Sequence, residues 1–544
     1  MLTAIAVAMC KRLRILMALA GLMLAACGGG AGGGSSGEPL SVAPPPDPEA
    51  CPSNQVSGAD ASCTCPEGLH EKEGYCIDWA ESVHEGAEFL ETGYPLAIPK
   101  TGGSYIAPLY MKVGNIDQDP ELELVYKDGT SPIYAWNHDG TVLDGWPVNA
   151  STYLHGKHAL VQFDDDPELE VFFGHEGFAS ESQRCELNAF DSNGARLAGW
   201  PQRCGLSVDT APVVVDLNGD GYDEVIYFDD NELAYIDRTG TKWVVPIVNP
   251  PSRSWCGIAV ADVTIHAGQE LALVNCSYPV YETGKPPTYY LTLYLLSSEF
   301  AVLPGFPITY TGLFSQHPVI ADLDADGEKE IMVLGSGSQA DFEQRGIRSV
   351  LRIVSGEGTI ESKIEFTEQV SDQAALGDID QDGTPEILIL VEGQSNYLKK
   401  RIHAYEADGK AVPGWPVSGG QFAIGDVDGD RVPEVVTFLD YDSPAYSDNR
   451  NVLAIYSGDG TLRENLHVTI DYMGHEAASI MPVIADIDLD GRNELIAIGD
   501  FWEGYSGDFP QVWAFDFMGS GPYGPIEWGQ LYGNERNTGE YAPH

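Results

Sequence analysis

The chain has 544 residues, with 82 Asp and Glu against 29 Lys and Arg, a formal net charge of −53. So large a negative excess, with no basic patch to oppose it, repels nucleic acid and anionic lipid, and it excludes DNA and RNA as partners. The length suits either several domains of ~150 residues or one large closed β-architecture.

In chain order, Lys11, Arg12 and Arg14 precede an apolar run from Ile15 to Ala26, followed by Cys27. The run is too short for a permanent membrane helix and is expected to be cleaved. The segment resembles a bacterial lipoprotein signal, in which Leu24-Ala25-Ala26-Cys27 is the lipobox and Cys27 becomes the lipidated first residue. An ordinary secretory signal is the other reading. The resemblance implies a signal over 1–26, a lipid anchor as the sole membrane contact and, because Gly28 rather than Asp follows the cysteine, the outer membrane of a Gram-negative cell. Which side the protein faces is not encoded. Residues 27–50, opening GGGAGGGSSGEP, are expected to form a disordered Gly/Ser/Pro-rich tether that holds a folded domain off the anchor.

Residues 51–92 carry Cys51, Cys63, Cys65 and Cys76, which in an exported chain point to a small disulfide knot of open connectivity. The strings CTCPEGL and GYC resemble part of an EGF-like module.

From residue 93 onward one unit repeats. Its clearest copy, VIADLDADGEKEIMVLG, sets Asp322, Asp324, Asp326 and Glu330 at positions 1, 3, 5 and 9 of a loop between two short apolar runs, with Gly327 at position 6. Carboxylates at alternate residues converge on one centre, and the last can chelate with both oxygens, which is oxygen-ligand spacing for calcium. Without a cation, unit charges ~4 Å apart would repel by about 4 kcal/mol at the effective dielectric of a protein surface. The flanks are β-type apolar runs and the closing acid stands at 9, not 12, so the loop joins two strands rather than two helices.

Four further copies are complete: Asp216/Asn218/Asp220/Glu224, Asp378/Asp380/Asp382/Glu386, Asp426/Asp428/Asp430/Glu434 and Asp486/Asp488/Asp490/Glu494. Two earlier ones keep positions 3, 5 and 9 (Asp117, Asp119, Glu123; Asp164, Asp166, Glu170) but place Pro120 or Pro167 at position 6. An eighth keeps Asp262, Thr264 and Glu270, with His266 at position 5, and is expected to be empty. About seven structural calcium ions are therefore expected.

The loops recur every ~46 to 60 residues, the range of propeller blades. Each interval continues with an apolar strand, a variable insert, an aromatic-rich strand, a tight turn such as HDGT at His138 or GDGT at Gly458, and a fourth short strand. Four antiparallel strands make one blade, and blades buried face to face in a ring leave only short edges. The expectation is an all-β, eight-bladed β-propeller over 93–544, with seven blades as the alternative. Many fourth strands lead into GWP or GFP (Trp146, Trp200, Phe306, Trp415, with Tyr94 before the first repeat), and recurrence at one blade position assigns these aromatics to packing between blades. The GNERNTGEY tail is expected to complete the last blade or close the ring.

Strings such as PVVVDLNGDGYDEV at Pro212, PVIADLDADGEKEI at Pro318 and PVIADIDLDGRNEL at Pro482 resemble the FG-GAP or VCBS-type repeats, whose best-known members form the calcium-bearing propeller of integrin alpha chains. The resemblance runs from about Tyr94 to the end. Literal Phe-Gly and Gly-Ala-Pro elements are mostly missing, so the likeness is to the bacterial VCBS branch, which includes adhesins and carbohydrate-binding or carbohydrate-cleaving proteins.

Cys256 and Cys276 flank the degenerate loop symmetrically and are expected to bridge its two strands in place of calcium; Cys185 and Cys204 flank the Asn193-Gly194 turn and are expected to bridge the outer hairpin of the second blade.

In such a meander the acidic loops and Asp-Gly turns share one end of the ring, and the inserts between strands two and three gather at the other. Variable loops on a rigid scaffold are where binding resides. Those inserts hold Tyr278, Tyr281, Tyr289, Tyr441, Tyr446, Trp502 and Tyr505, side chains suited to stacking on sugar rings or to packing the loops themselves. The first functional reading is a calcium-stabilised envelope module that binds glycan or protein. The second is a polysaccharide lyase or hydrolase, for which His175-Glu176, His475-Glu476 and the cluster Lys399, Lys400 and Arg401 are the residues to consider. The chain contains no HExxH or phosphate-loop motif.

Overall fold

A strand pressed between two neighbouring sheets has both faces covered, so it reads as an unbroken apolar run instead of an alternating one. Glu224–Asp229 (EVIYFD) and Glu434–Leu439 (EVVTFL) are such runs, buried throughout their length. Outer strands differ: Ile360–Phe366 alternates at its end, and Lys242–Val245 is exposed over its first three residues.

The computed structural model describes residues 56–57, 63–64, 70–72, 75–77, 83–97, 110–127, 132–149, 158–175, 185–205, 211–229, 232–246, 255–265, 268–276, 290–311, 317–392, 400–439, 451–466, 468–470, 482–499, 511–517, 519 and 523–542. They form an eight-bladed propeller. Blade 1 is Tyr110–Gly114, Glu123–Lys127 and Ile133–Trp136, with its outer edge bridged by Val142 and Val148. Blade 2 is His158–Val161, Glu170–His175, Glu186–Phe190 and Gln202–Arg203; blade 3 is Val213–Val215, Glu224–Asp229, Glu232–Ile236 and Lys242–Val245. Blade 4 is Trp255–Ala261, Glu270–Cys276, Tyr290–Leu296 and Ile308–Thr311; blade 5 is Val319–Ala321, Glu330–Ser336, Ser349–Ser355 and Ile360–Phe366. Blade 6 is Gln369–Gly377, Glu386–Glu392, Lys400–Tyr405 and Val417–Ser418; blade 7 begins with Phe422–Gly425, Glu434–Leu439, Asn451–Tyr456 and Val468–Ile470. Within the blades each strand pairs antiparallel with the next.

Ring closure departs from the expectation for the tail. Blade 8 takes three strands from the C-terminal region, Val483–Ala485, Glu494–Gly499 and Gln511–Phe515, and its fourth, Leu96–Ala97, from the N-terminal region. Val83–Glu85, upstream of Gly93, adds to the outer edge of blade 7. The tail instead follows the ring axis. Ile526–Trp528 pairs with the first strand of blade 7, and Leu160, Val214, Val260, Ile320 and Ile484 donate backbone N–H groups to the carbonyls of Glu535, Arg536, Thr538, Gly539 and Gly529. The Gln530 amide exchanges two hydrogen bonds with Val113, and buried Lys112 donates to the carbonyls of Leu531 and Asn534.

Three of the five GWP-type aromatics bond to the neighbouring blade. Trp146 Nε1 donates to Ser192 O at 2.9 Å, Trp415 Nε1 to Gly458 O at 2.7 Å and Tyr94 Oη to His138 O at 3.1 Å, each on the hairpin turn of the next blade. The glycine before each aromatic is required by that approach. A Cβ on Gly145 would lie 1.8 Å from Asn193 O, and one on Gly414 would lie 1.8 Å from Asp459 O. Trp200 packs on Phe163 and Phe172 of its own blade.

Cys185 and Cys204 form the disulfide expected for the outer hairpin of blade 2. Cys276 is disulfide-bonded, and the register places Trp255 opposite Asn275, next to Cys256, whose side chain lies outside the described residues. In the N-terminal segment Val56–Ser57 pairs antiparallel with Cys63–Thr64, and His70–Lys72 pairs with Tyr75–Ile77. The expected signal and tether, and the side chains of Cys27, Cys51, Cys63, Cys65 and Cys76, lie outside the described residues.

Candidate metal centres

Every acidic loop leaves the first strand of its blade and enters the second at a glutamate. Between them the chain takes two left-handed residues. Position 4 is Gly219, Ala325, Gln381, Gly429 or Leu489, with φ of 74°, 59°, 61°, 75° and 57°. Position 6 is Gly221, Gly327, Gly383, Arg431 or Gly491, with φ of 91°, 91°, 95°, 71° and 86°. These bends curl the loop so that alternate side chains face one centre. Proline cannot take a positive φ, so loops 1 and 2 curl by another route: the Asn115 amide donates to Asp119 O at 2.8 Å, and the Gln162 amide reaches Asp166 O.

The glutamate at position 9 is anchored identically in all eight loops. One carboxylate oxygen accepts the backbone N–H of position 2, from Ile116, Phe163, Leu217, Val263, Leu323, Ile379, Val427 and Ile487, at 2.6–3.2 Å. The second oxygen is left to face the loop. Ligand atoms converge within 4.8 Å of one another in Asp117/Asp119/Glu123, Asp164/Asp166/Glu170, Asp322/Asp324/Glu330, Asp378/Asp380/Glu386 and Asp426/Asp428/Glu434, and in a sixth group. Burial first, then the neighbouring aspartates, push these glutamates up: Glu123, Glu170 and Glu434 to about 8, Glu224 to about 7 and Glu494 to about 9, while burial, Glu361 and the loop aspartates raise Glu330 to about 7. For Glu386 burial, Asp380, Glu406 and Asp378 raise the carboxyl to about 8.

The aspartates at positions 3 and 5 also close turns within their loops. Asp220, at position 5 of loop 3, is exposed and accepts Tyr222 N at 3.0 Å through Oδ1. Asp488, at position 3 of loop 8, is half-buried and accepts Asp490 N at 3.1 Å through Oδ1. Each thus uses one oxygen to close a turn with the residue two further on, as aspartates in tight loops do, which leaves Oδ2 as the oxygen to meet a cation. At position 5 the same turn is closed by Asp326 on Glu328 N, Asp382 on Thr384 N and Asp430 on Val432 N. At position 3 Asp324, Asp380 and Asp428 close the same turn on the N–H of position 5, and they converge with the acids at positions 1 and 9 in loops 5, 6 and 7.

The residues fit a hard cation. Glu386 Oε1 is buried without a hydrogen-bond partner, and Glu123 Oε1, Asp378 Oδ1 and Asp486 Oδ1 are buried and lack a hydrogen bond of normal geometry. A buried carboxylate oxygen left unmatched costs several kcal/mol unless a proton or a cation meets it. Loops 1 and 2 add two ligand candidates that the acid pattern passes over: Asn115 Oδ1 and Gln162 Oε1 at position 1 are also buried without a partner. An amide oxygen is a calcium ligand as a carboxylate is, so the residue type at position 1 was the available signal.

Three loops satisfy the second glutamate oxygen internally. In loop 4 Thr264 Oγ1 donates to Glu270 Oε1 at 2.7 Å, and in loop 3 Asn218 Nδ2 donates to Glu224 Oε1 at 2.8 Å. In loop 7 Arg463 Nη1 lies 3.2 Å from Glu434 Oε1.

The loops also bond to one another. Position 8 of one loop donates to the start of the loop before it: Leu122 N to Ile487 O, Leu169 N to Asn115 O, Asp223 N to Gln162 O, and the Asn493 amide to Asp426 O at 2.8 Å. Holding a loop therefore also holds a junction between blades.

Tyr278, Tyr281, Tyr289, Tyr441, Tyr446, Trp502 and Tyr505 all lie outside the described residues, as do Glu176, His266, Lys399, His475 and Glu476. Lys400 and Arg401 are in the third strand of blade 6. The one insert described in full, in blade 5, contains a short helix, Gln339–Arg345, closed by a Ser338/Asp341 capping box.

These features define a β-propeller with a ring of acidic inter-strand loops. No protein-family model matches the chain, and no curated protein matches it. Solved structures similar to it in fold include the V. cholerae biofilm matrix protein Bap1, at 12% identity over 80% of this chain and 97% of that one, with a TM-score of 0.38. BBS1N in complex with ARL6DN is similar at 12% identity, over 80% of this chain and 98% of that one, with a TM-score of 0.39.

Proposed function

We propose that the protein is a calcium-stabilised, non-catalytic binding module of the FG-GAP/VCBS type, held at the cell envelope through a lipidated Cys27. One observation carries the metal reading: Glu386 is wholly buried, with one oxygen tied to Ile379 N and the other without a partner beside Asp378 and Asp380. Carboxylate and amide oxygens with no nitrogen or sulfur ligand select calcium over transition metals. Calcium here is a clip of the fold, since loops 1, 2, 3, 6 and 8 also bond to the acidic loop of a neighbouring blade.

The binding role is supported by topology. Strands two and three of each blade are joined at the end of the ring remote from the acidic loops, and that end carries the chain's most variable segments. Glycan or protein is the proposed ligand class, with the seven insert aromatics as candidate contacts.

The test is incubation of the full chain with plant, algal and bacterial polysaccharides in millimolar calcium, scoring retention on immobilised glycan and release of new reducing ends. Retention without release is the expected result. Release from any substrate would replace the binding module with a lyase or hydrolase.

A further inference from the structure

Loop 7 has the acids of a complete site, yet its cation is already supplied by the chain. The Arg463 guanidinium contacts Asp428 and lies 3.3 Å from Asp430 Oδ2 and 3.2 Å from Glu434 Oε1, which are positions 3, 5 and 9 of that loop. Position 1 is committed as well. Asp426 is fully buried; its Oδ1 accepts Asp428 N at 3.2 Å and Gly429 N at 2.7 Å, and its Oδ2 accepts Arg431 N at 2.8 Å and Gly524 N at 2.5 Å. Gly524 N is a donor from outside the loop, arriving from a segment 98 residues further along the chain. In loops 6 and 8 the equivalent Asp378 Oδ1 and Asp486 Oδ1 are buried and lack such a bond.

The position of Arg463 in its blade sharpens the contrast. Its backbone N–H donates to Ile455 O just after the strand-three turn. The residues making the same bond in blades 1, 2, 4 and 6 are Leu143, Leu197, Leu303 and Val412, all aliphatic and buried or half-buried. Blade 7 has replaced a packing side chain by one long enough to reach its own acidic loop. Arg492 of loop 8 is not a second case. It lies within the loop at position 7, touches Asp490 alone of the four acids and turns to Asp516 at 2.6 Å.

We infer that Arg463 is an intramolecular counter-cation that takes the place of calcium in loop 7. A guanidinium presents several N–H donors in a plane, which suits the three carboxylates of loop 7. It carries one positive charge where calcium carries two, and it needs no ion from solution. Loop 7 is then calcium-independent, and calcium stabilisation is confined to loops 1, 2, 3, 5, 6 and 8.

The inference rests on the calcium reading proposed above, and its test separates the two. Calcium bound per full chain is counted by equilibrium dialysis and elemental analysis for the wild type and for Arg463→Leu, which restores the residue type of the other blades. The variant is expected to bind one ion more, because its loop keeps Asp426, Asp428, Asp430 and Glu434 and loses the competing charge. Equal, non-zero counts would overturn the role of Arg463. No calcium in either protein would overturn the calcium reading itself. A second pair keeps the question decidable if Arg463→Leu does not fold: Asp380→Asn should lower the count by one and Asp428→Asn should leave it unchanged. Loss of an ion in Asp428→Asn would sink the proposal.

Discussion

The glutamate at position 9 is the residue on which each loop turns, because its burial sets the charge state of the metal-free site. Glu123, Glu170 and Glu386 ordinarily titrate near 4.5, and each is pushed up to about 8 in the folded chain. Between those two values the folded state holds protons that the unfolded state has lost. By linkage, calcium-free stability is highest below pH 4.5 as far as these groups are concerned, and it is lost as pH rises through about 8. His158 acts in the opposite sense below pH 6.5: burial, with Lys112 and Lys127 nearby, lowers its pKa to about 3, so it stays neutral when folded and costs stability as the unfolded chain gains a proton. The window from pH 6.5 to 8.5 isolates the glutamates. In chelator the denaturation midpoint should fall across that window; in saturating calcium the fall should vanish, because the metal holds the carboxylates ionised. A midpoint that rises with pH in chelator would contradict the burial argument.

At the scale of the element, the blade junction and the loop make opposite demands on glycine. Gly414 has φ of 93°, and an added Cβ would lie 1.8 Å from Asp459 O on the adjacent blade. Gly414→Ala must separate neighbouring blades or break the turn, and we expect a loss of about 2–4 kcal/mol, read as a lower midpoint in urea. Gly219 has φ of 74° with nothing near its would-be Cβ, and the same loop position is Ala325, Gln381 or Leu489 elsewhere. Gly219→Ala should therefore cost only about 1 kcal/mol. Equal losses in the two variants would mean that φ, not the contact between blades, sets the cost. Much of this level was legible in sequence, since the acid spacing, the Asp-Gly turns and the GWP strings each mark one strand boundary. Arg463 was not legible, because it stands 29 residues from Glu434 and its role depends on a hairpin folding it back. Asn115 and Gln162 do not stand out in the acid spacing, because their orphaned atoms are amide oxygens that carry no charge. The turn bonds of Asp220 and Asp488 were equally hidden, because spacing shows which residues alternate and not which oxygen a left-handed bend aims at the backbone.

For the whole molecule, the blade count followed from the loop period, but closure did not, because Leu96–Ala97 and the tail carry no repeat signature. Six calcium loops, each offered calcium at ten times its dissociation constant, would add about 1.4 kcal/mol apiece, on the order of 8 kcal/mol if independent. That is comparable to the stability of an ordinary domain, so the melting temperature should climb with calcium concentration and collapse in chelator. A melting temperature indifferent to calcium would leave the acidic ring without a structural purpose. The axial tail makes the second global contribution. It supplies carbonyls to N–H groups on the first strands of blades 2, 3, 4, 5 and 8, pairs with blade 7 and exchanges bonds with Val113 of blade 1. Its Asn537 amide bridges His158 O at 3.1 Å and Pro212 O at 3.0 Å, and Lys329 holds Glu540 at 2.5 Å. Ending the chain at Pro525 would strand five of those N–H groups, at about 1–3 kcal/mol each where water cannot replace the lost acceptor. The sum rivals the whole stability of the ring, so the truncated chain is expected to be rapidly degraded by protease even in saturating calcium, whereas Asn537→Ala should fold with a lower midpoint. A truncated chain as resistant as the wild type would show that the blades close by their own packing and the strand from residues 96–97, with the tail only filling the axis.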